Sequence, residues 1–141
     1  MSSMLACDAM TADPVFIQDH RTLREAEHLF REYDMRHLPV VDDDGTLLGM
    51  LSDRDLRSYI PWDGQFGVPD LEAIERRSDP VSAAMQADPI FVRPDSDIRE
   101  VIDRMVQWRV GAIPVLEQGS ENLVGIVSYV DVLKSAREWL N

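Results

Sequence analysis

Apolar positions along the 141-residue chain fall into short runs between polar stretches, and the runs follow one order twice. Val15 to Gln18 and Ile90 to Arg93 are short apolar segments rich in β-branched residues. Each follows an Asp-Pro step that favours a turn and disfavours a helix, so each predicts a strand. Leu23, Ala26, Phe30 and Tyr33 then recur at helical spacing, as do Ile98, Val101, Ile102, Met105 and Val106. Two amphipathic helices follow, each with one buried face. Thr22 with Glu25, and Asp97 with Glu100, have the spacing at which a side-chain cap and a reciprocal acid open such a helix. Leu38 to Val41 and Leu47 to Leu51 flank Asp42, Asp43, Asp44 and Gly45, a polar stretch whose Asp-Gly step suits a hairpin. Gln118 to Asn122 takes that place in the second half.

The recurrence extends to the letters. AMTADPVF, Ala9 to Phe16, returns as AMQADPIF, Ala84 to Phe91, at an offset of 75 residues. The same offset pairs Tyr33 with Trp108 and LPVV, Leu38 to Val41, with IPVL, Ile113 to Leu116. One insertion shifts it to 76, at which LLGMLSDRD, Leu47 to Asp55, matches LVGIVSYVD, Leu123 to Asp131. These are two copies of one supersecondary unit, each reading strand, helix, strand, strand, helix, with an α/β (α+β) fold class. Near-continuous apolar strands call for a sheet covered on both faces. One copy leaves a face bare, so the two are expected to pack together. The expected division is 1–60 for the first copy with an N-terminal extension, 61–80 for a linker and 81–141 for the second copy. In the linker, Ile60 to Asp70 is dense in Gly and Pro, with Trp62 and Phe66 as possible anchors, and Leu71 to Arg77 predicts a short helix opened by Asp70 and ended before Asp79-Pro80.

Composition narrows the function. The chain carries 26 acidic against 14 basic residues, a net charge of -12. That field repels phosphate backbones and acidic lipid surfaces, so neither nucleic acid nor a membrane is an expected partner. The single cysteine, Cys7, forms no internal disulfide, and Met1 to Cys7 lacks the basic start and apolar stretch of a secretory signal. The expected location is the cytoplasm. Asp42 to Asp44 lack the ligand spacing of a calcium loop, and His20, His28 and His37 lack zinc-site spacing. No metal site and no catalytic residue is expected, so the chain is read as a non-enzyme.

One pattern carries chemistry. In Gly49 to Asp55 and in Gly125 to Asp131, a strand runs into a helix with Ser at the first turn and Asp three residues later. A helix N-terminus offers unpaired N–H groups and partial positive charge, which suit a phosphate, and Ser52 and Ser128 add hydroxyls there. A carboxylate such as Asp55 or Asp131 accepts hydrogen bonds from both hydroxyls of a ribose. The same spacing also describes a capping box with Asp in the acidic position, and one residue can do both.

The repeated strand, helix, hydrophobic-Pro-Val strand and closing Gly-x-x-Ser-x-x-Asp resemble the cystathionine beta-synthase (CBS) domain, and the two copies resemble a CBS pair, or Bateman module, from Leu5 to about Ser135. The resemblance implies two βαββα repeats packed with pseudo-twofold symmetry, a further homodimer, and a regulatory ligand of the adenosyl class: AMP, ADP, ATP or S-adenosylmethionine. No obligatory cofactor is implied. It further implies clefts shared between copies. Ser52 and Asp55 would face Ala87 to Ile90 and Val110 to Ile113, including Ile90, Val110, Gly111 and Ala112. Ser128 and Asp131 would face Thr11 to Val15 and Met35 to Leu38, including Thr11, Asp13, Val15, Met35, Arg36 and His37. The cleft of Ser128 and Asp131 is preferred because Arg36 would help hold a phosphate. Output would pass through dimer packing or a regulated protein partner. The competing expectation is a ligand-free dimerisation or interaction module, favoured by a charge of -12 that opposes ATP more than AMP or cationic S-adenosylmethionine.

Overall fold

The computed structural model describes residues 4–61, 70–138 and 140; Trp62 and Phe66 lie outside the described residues. The chain forms two compact units. Unit I, built around the first copy, gathers Val15–Asp44 and Leu48–Asp88; unit II, built around the second, gathers Met1–Pro14, Gly45–Leu47 and Pro89–Asn141.

In unit I, β2 (Ile17–Gln18), α2 (Leu23–Glu32), β3 (His37–Val41), β4 (Leu47–Ser52) and α3 (Asp53–Tyr59) follow the predicted order, then α4 (Leu71–Arg77), a 3-10 turn (Val81–Ala83) and β5 (Gln86–Ala87). The sheet order is β2-β3-β4-β5. Its β2 runs parallel to β3, pairing Ile17 with Val40, and β5 runs antiparallel to β4. Thr22 caps α2 by accepting from the Glu25 amide. The Glu25 carboxylate instead lies 3.7 Å from Arg21, so the cap forms without the reciprocal acid. Asp70 caps α4 through the amides of Glu72 and Ala73. Leu23, Ala26 and Phe30 sink into a core with Ile17, Leu38, Val40, Leu51, Leu56 and Val81.

Unit II consists of α1 (Ala6–Ala9), β1 (Thr11–Ala12), α5 (Ile98–Trp108), β6 (Ala112–Leu116), β7 (Leu123–Ser128) and α6 (Tyr129–Arg137), with sheet order β1-β7-β6. The counterpart of β2 is reduced to a single parallel bridge, Val92 to Val115. Ala6, Val92, Ile98, Val101, Ile113, Val115 and Val127 form the core. Asp97 caps α5 by accepting from the Arg99 amide, while Glu100 pairs with Arg104 at 3.2 Å.

Each unit takes its leading segment from the other side of the linker. The Ala6 amide donates to the Ser96 carbonyl and the Val81 amide to the Arg21 carbonyl, both at 2.7 Å and at positions 75 apart in the chain. Neither core is therefore closed by its own copy alone. The glycines of the closing strands explain how those segments fit. A Cβ at Gly49 would lie 2.7 Å from the Gln86 carbonyl oxygen and from Met85 Sδ, and one at Gly125 would strike Met10 Sδ. Any side chain there would push the edge strand off the sheet.

The expected buried helix faces need one correction. Tyr33 is 54% and Trp108 56% exposed, and Ile102 and Val106 also face outward. Tyr33 is the C-cap of α2, beyond its last helical turn, which carries it off the buried stripe. On α5, Ile98 and Val101 fill the core, and Ile102 and Val106 form a second stripe that is exposed among the described residues.

Candidate functional site

Both Ser-x-x-Asp turns close as capping boxes at the point where a strand becomes a helix. In unit II, the Ser128 amide donates to Asp131 Oδ2 at 2.8 Å, the Ser128 hydroxyl to the same oxygen at 3.0 Å, and the Asp131 amide to Ser128 Oγ at 3.2 Å. The Tyr129 amide donates to the Gly111 carbonyl at 2.9 Å, and Ala112 pairs with Ser128 in the ladder. On the other side, Thr11 pairs with Ile126 and the Asp13 amide donates to the Val124 carbonyl. Thr11 and Asp13 are exposed; Ile90 and Val110 pack against the core beneath. Unit II thus sets Gly111 and Ala112 directly at the Ser128–Asp131 turn, with Thr11 and Asp13 along the other edge of β7.

Unit I repeats the geometry with different side chains. The Ser52 amide donates to Asp55 Oδ2 at 2.9 Å and the Asp55 amide to Ser52 Oγ at 3.0 Å. The Asp53 amide donates to the Arg36 carbonyl at 2.9 Å, so Arg36 and His37 stand at this turn. Val15 and Met35 pack on this unit's core.

Gln86 went unrecognised in the sequence. Its side-chain amide donates to Asp55 Oδ1 at 3.2 Å, so both carboxylate oxygens of Asp55 are engaged. An offset of 75 pairs Gln86 with Thr11, and that match was the available signal. Thr11 makes no such bond to Asp131, whose Oδ1 has no partner among the described residues.

Asp13 and Asp88 have positive φ angles of 48° and 50° at matched positions, as do Asp34 and Arg109 at 49° and 54°. An aspartate tolerates the left-handed region better than most residues, at some strain. That strain sits beside the turn in both units.

His37 is half-buried, and its pKa is held below the ordinary 6.5. Burial is the main cause; Arg36 also lowers it, against the carboxylates of Asp55 and Asp53, which raise it. The fold therefore prefers the neutral imidazole. The unfolded chain takes up its proton first as pH falls, so this residue's contribution to stability is present above the ordinary histidine value and is lost below it. Urea unfolding at about pH 7.5 and about pH 5.5 is expected to show a drop that His37→Gln reduces. An equal drop in the variant would remove His37 from the account.

The Asp42 side chain accepts from the Asp44 amide at 2.9 Å, as in a polar turn. Among the described residues no group of three His, Cys, Asp or Glu side chains is placed to hold a metal ion, and no helix is long and apolar enough to cross a membrane.

The model of the CBS domain matches this chain twice, over residues 6–61 and 81–138. Hypoxic response protein 1 of Mycobacterium tuberculosis is 30% identical over 137 residues, covering 94% of this chain and 85% of that protein. The CBS domain-containing protein YhcV of Bacillus subtilis is 29% identical over 125 residues, covering 89% and 80%. Among solved structures, CBSX2 in complex with AMP superposes with a TM-score of 0.80 at 22% identity, covering 97% of this chain and 98% of that one. The CBS domain pair of MJ0100, in complex with 5'-methylthioadenosine and S-adenosylmethionine, gives 0.79 at 20%, covering 97% and 98%. The cytosolic domain of the Mg2+ channel MgtE in complex with ATP gives 0.72 at 27%, covering 93% and 48%. With the fold, the doubled turn and both matches in agreement, the chain belongs to the CBS-domain family and carries the domain twice, as a CBS pair.

Proposed function

We propose that this CBS pair is a regulatory module that binds an adenosyl nucleotide, AMP, ADP, ATP or S-adenosylmethionine, at the Ser128–Asp131 turn of unit II, and performs no reaction itself. The observation that carries the choice of turn is the Oδ1 of Asp131, which has no partner among the described residues, against the engaged oxygens of Asp55. A carboxylate with one oxygen fixed by its helix cap is held in place, and the other is open to ribose hydroxyls. Gly111 and Ala112 are small enough to let a base approach the adjoining strand. Relatives of the same fold hold AMP, 5'-methylthioadenosine with S-adenosylmethionine, and ATP, which supports the ligand class. The signal would leave through self-association or a partner protein.

Thermal unfolding against AMP, ADP, ATP, S-adenosylmethionine and NADH, with guanine nucleotides as controls, tests this. A ligand a hundredfold above its dissociation constant stabilises the fold by about 2.7 kcal/mol. For a chain of this length that raises Tm by roughly 5 to 10 °C. A selective rise for one adenosyl compound is the expected result; no shift with any of them would overturn the proposal.

A second reading, a ligand-free dimerisation module, draws on a different observation. Ile102 and Val106 on α5, with Tyr129, Val130 and Leu133 on the adjoining α6, are all exposed. We infer that this face pairs with a second copy, whichever reading of the ligand holds.

A further inference from the structure

Given the adenosyl reading of the Ser128–Asp131 turn, on which this rests, we propose that position 11 of the edge strand β1 decides whether that turn admits a ligand. Thr11 leaves the Asp131 carboxylate open, where its counterpart Gln86 closes the Asp55 carboxylate from within the protein.

The two edge strands meet their neighbours in one register. In unit II, β1 runs antiparallel to β7 and sets Thr11 opposite Ile126 and Ala12 opposite Gly125. In unit I, β5 runs antiparallel to β4 and sets Gln86 opposite Met50 and Ala87 opposite Gly49. The edge strands lie 75 positions apart and their neighbours 76, which are the offsets of the repeat itself. Thr11 and Gln86 therefore leave equivalent places on the backbone, both with exposed side chains, and only the side chain differs.

Reach makes that difference count. Gln86 Nε2 donates to Asp55 Oδ1 at 3.2 Å while the Ser52 amide holds Oδ2 at 2.9 Å, so both oxygens are engaged inside unit I. In unit II the Ser128 amide and hydroxyl both hold Asp131 Oδ2, and Oδ1 has no partner among the described residues. A threonine hydroxyl sits on Cβ, two bonds short of where a glutamine carries its amide, and does not span the gap. The glutamine amide offers a carboxylate a donor, as a ribose hydroxyl does. Gln86 thus stands at Asp55 where a ligand would stand at Asp131.

The other flank of each turn differs in the same sense. The Asp53 amide donates to the Arg36 carbonyl and the Tyr129 amide to the Gly111 carbonyl, both at 2.9 Å. Arg36 and His37 accordingly hold the places of Gly111 and Ala112. Unit I has a long side chain on each side of its turn, and unit II a short one on each.

The test uses Thr11→Gln in the full chain, with Thr11→Met as a side chain of similar length that has no amide. In the ligand-free 15N-labelled variant, the side-chain amide introduced by Thr11→Gln is expected to shift when Asp131→Asn is added, as that of Gln86 shifts with Asp55→Asn. In calorimetric titration with AMP, ATP and S-adenosylmethionine, the wild-type chain is expected to take up one ligand per chain. Thr11→Gln is expected to weaken that binding about tenfold, the cost of displacing one charge-assisted hydrogen bond at an exposed site. Thr11→Met is expected to stay within about twofold of wild type. Unchanged affinity in Thr11→Gln, an equal loss in Thr11→Met, two ligands per wild-type chain, or an introduced amide indifferent to Asp131→Asn would each overturn the proposal. A wild-type chain that binds none of the three compounds would overturn the ligand reading itself, and the NMR comparison, which needs no ligand, still reads whether position 11 controls access to Asp131.

Discussion

Asp131→Ala is expected to weaken adenosyl-nucleotide binding by about a hundredfold, the larger of the two losses that removing a turn carboxylate can cause. A ribose presents two hydroxyls, and a hydrogen bond to a charged group contributes roughly 1.5 to 3 kcal/mol. Water takes over part of that when the carboxylate is removed, leaving a loss of about 3 kcal/mol, which is about a hundredfold in affinity. Asp131 is poised for this because its Oδ2 is fixed by the Ser128 amide and hydroxyl while Oδ1 has no partner among the described residues. Asp55 holds the Ser52 amide on one oxygen and Gln86 on the other, so Asp55→Ala is expected to cost less. The substitution at Asp131 also removes a helix cap, at about 1 kcal/mol of stability. Asp131→Asn separates the two effects, because its amide oxygen still accepts from the Ser128 amide but carries no charge. Calorimetric titration of both variants, with unfolding measured in parallel, reads the result. Unchanged affinity in Asp131→Ala would leave the carboxylate as a cap and nothing more.

The parts of this architecture that rest on local chemistry are written openly in the chain. Thr22, Asp70 and Asp97 open their helices where the spacing of polar and apolar residues places them, and the Asp42–Gly45 stretch turns as its composition demands. The doubled Ser-x-x-Asp pattern likewise becomes two matched capping boxes. What stays hidden depends on partners far along the chain. Thr11–Ala12 and Gln86–Ala87 are strands of two residues, too short for propensity to assign, and they form because a glycine on the neighbouring strand lets them approach. Which core the leading segments complete is equally invisible to periodicity. The placement of Arg36 and His37 against Asp53 follows from β3 and β4 being neighbours in one sheet. Tyr33 and Trp108 mark another limit: helical spacing identifies an apolar stripe without saying whether the same chain covers it.

That uncovered stripe leads to the second large effect. Val106→Arg is expected to convert a dimer into a monomer at micromolar concentration. The argument begins with the internal repeat. Ile102, Val106, Tyr129, Val130 and Leu133 match Glu27, Arg31, Asp53, Arg54 and Arg57 of the first copy, so an apolar face in unit II corresponds to a charged one in unit I. Glu27 with Arg31, and Asp53 with Arg57, even form ion pairs at 3.7 and 3.3 Å on that charged face. The two copies keep the same elements, so the fold alone does not require apolar side chains at these places. Val106 is 73% and Leu133 62% exposed, which makes an apolar patch that none of the described residues covers. A second copy of the same face is self-complementary in an isologous pair, where every contact is made twice. Two chains of net charge -12 repel, so the association must draw on apolar burial. An arginine at position 106 would place two unpaired cations in that interface, at a cost of about 4 kcal/mol or more. Such a cost weakens the dimer about a thousandfold. Because Val106 projects outward, the monomer should unfold at nearly the same denaturant concentration as before. Sedimentation velocity distinguishes the outcomes, with Arg31→Ala on the charged face as the control expected to stay dimeric. A wild-type monomer at tens of micromolar, or a dimer that survives Val106→Arg, would mean that this face meets something other than its own copy.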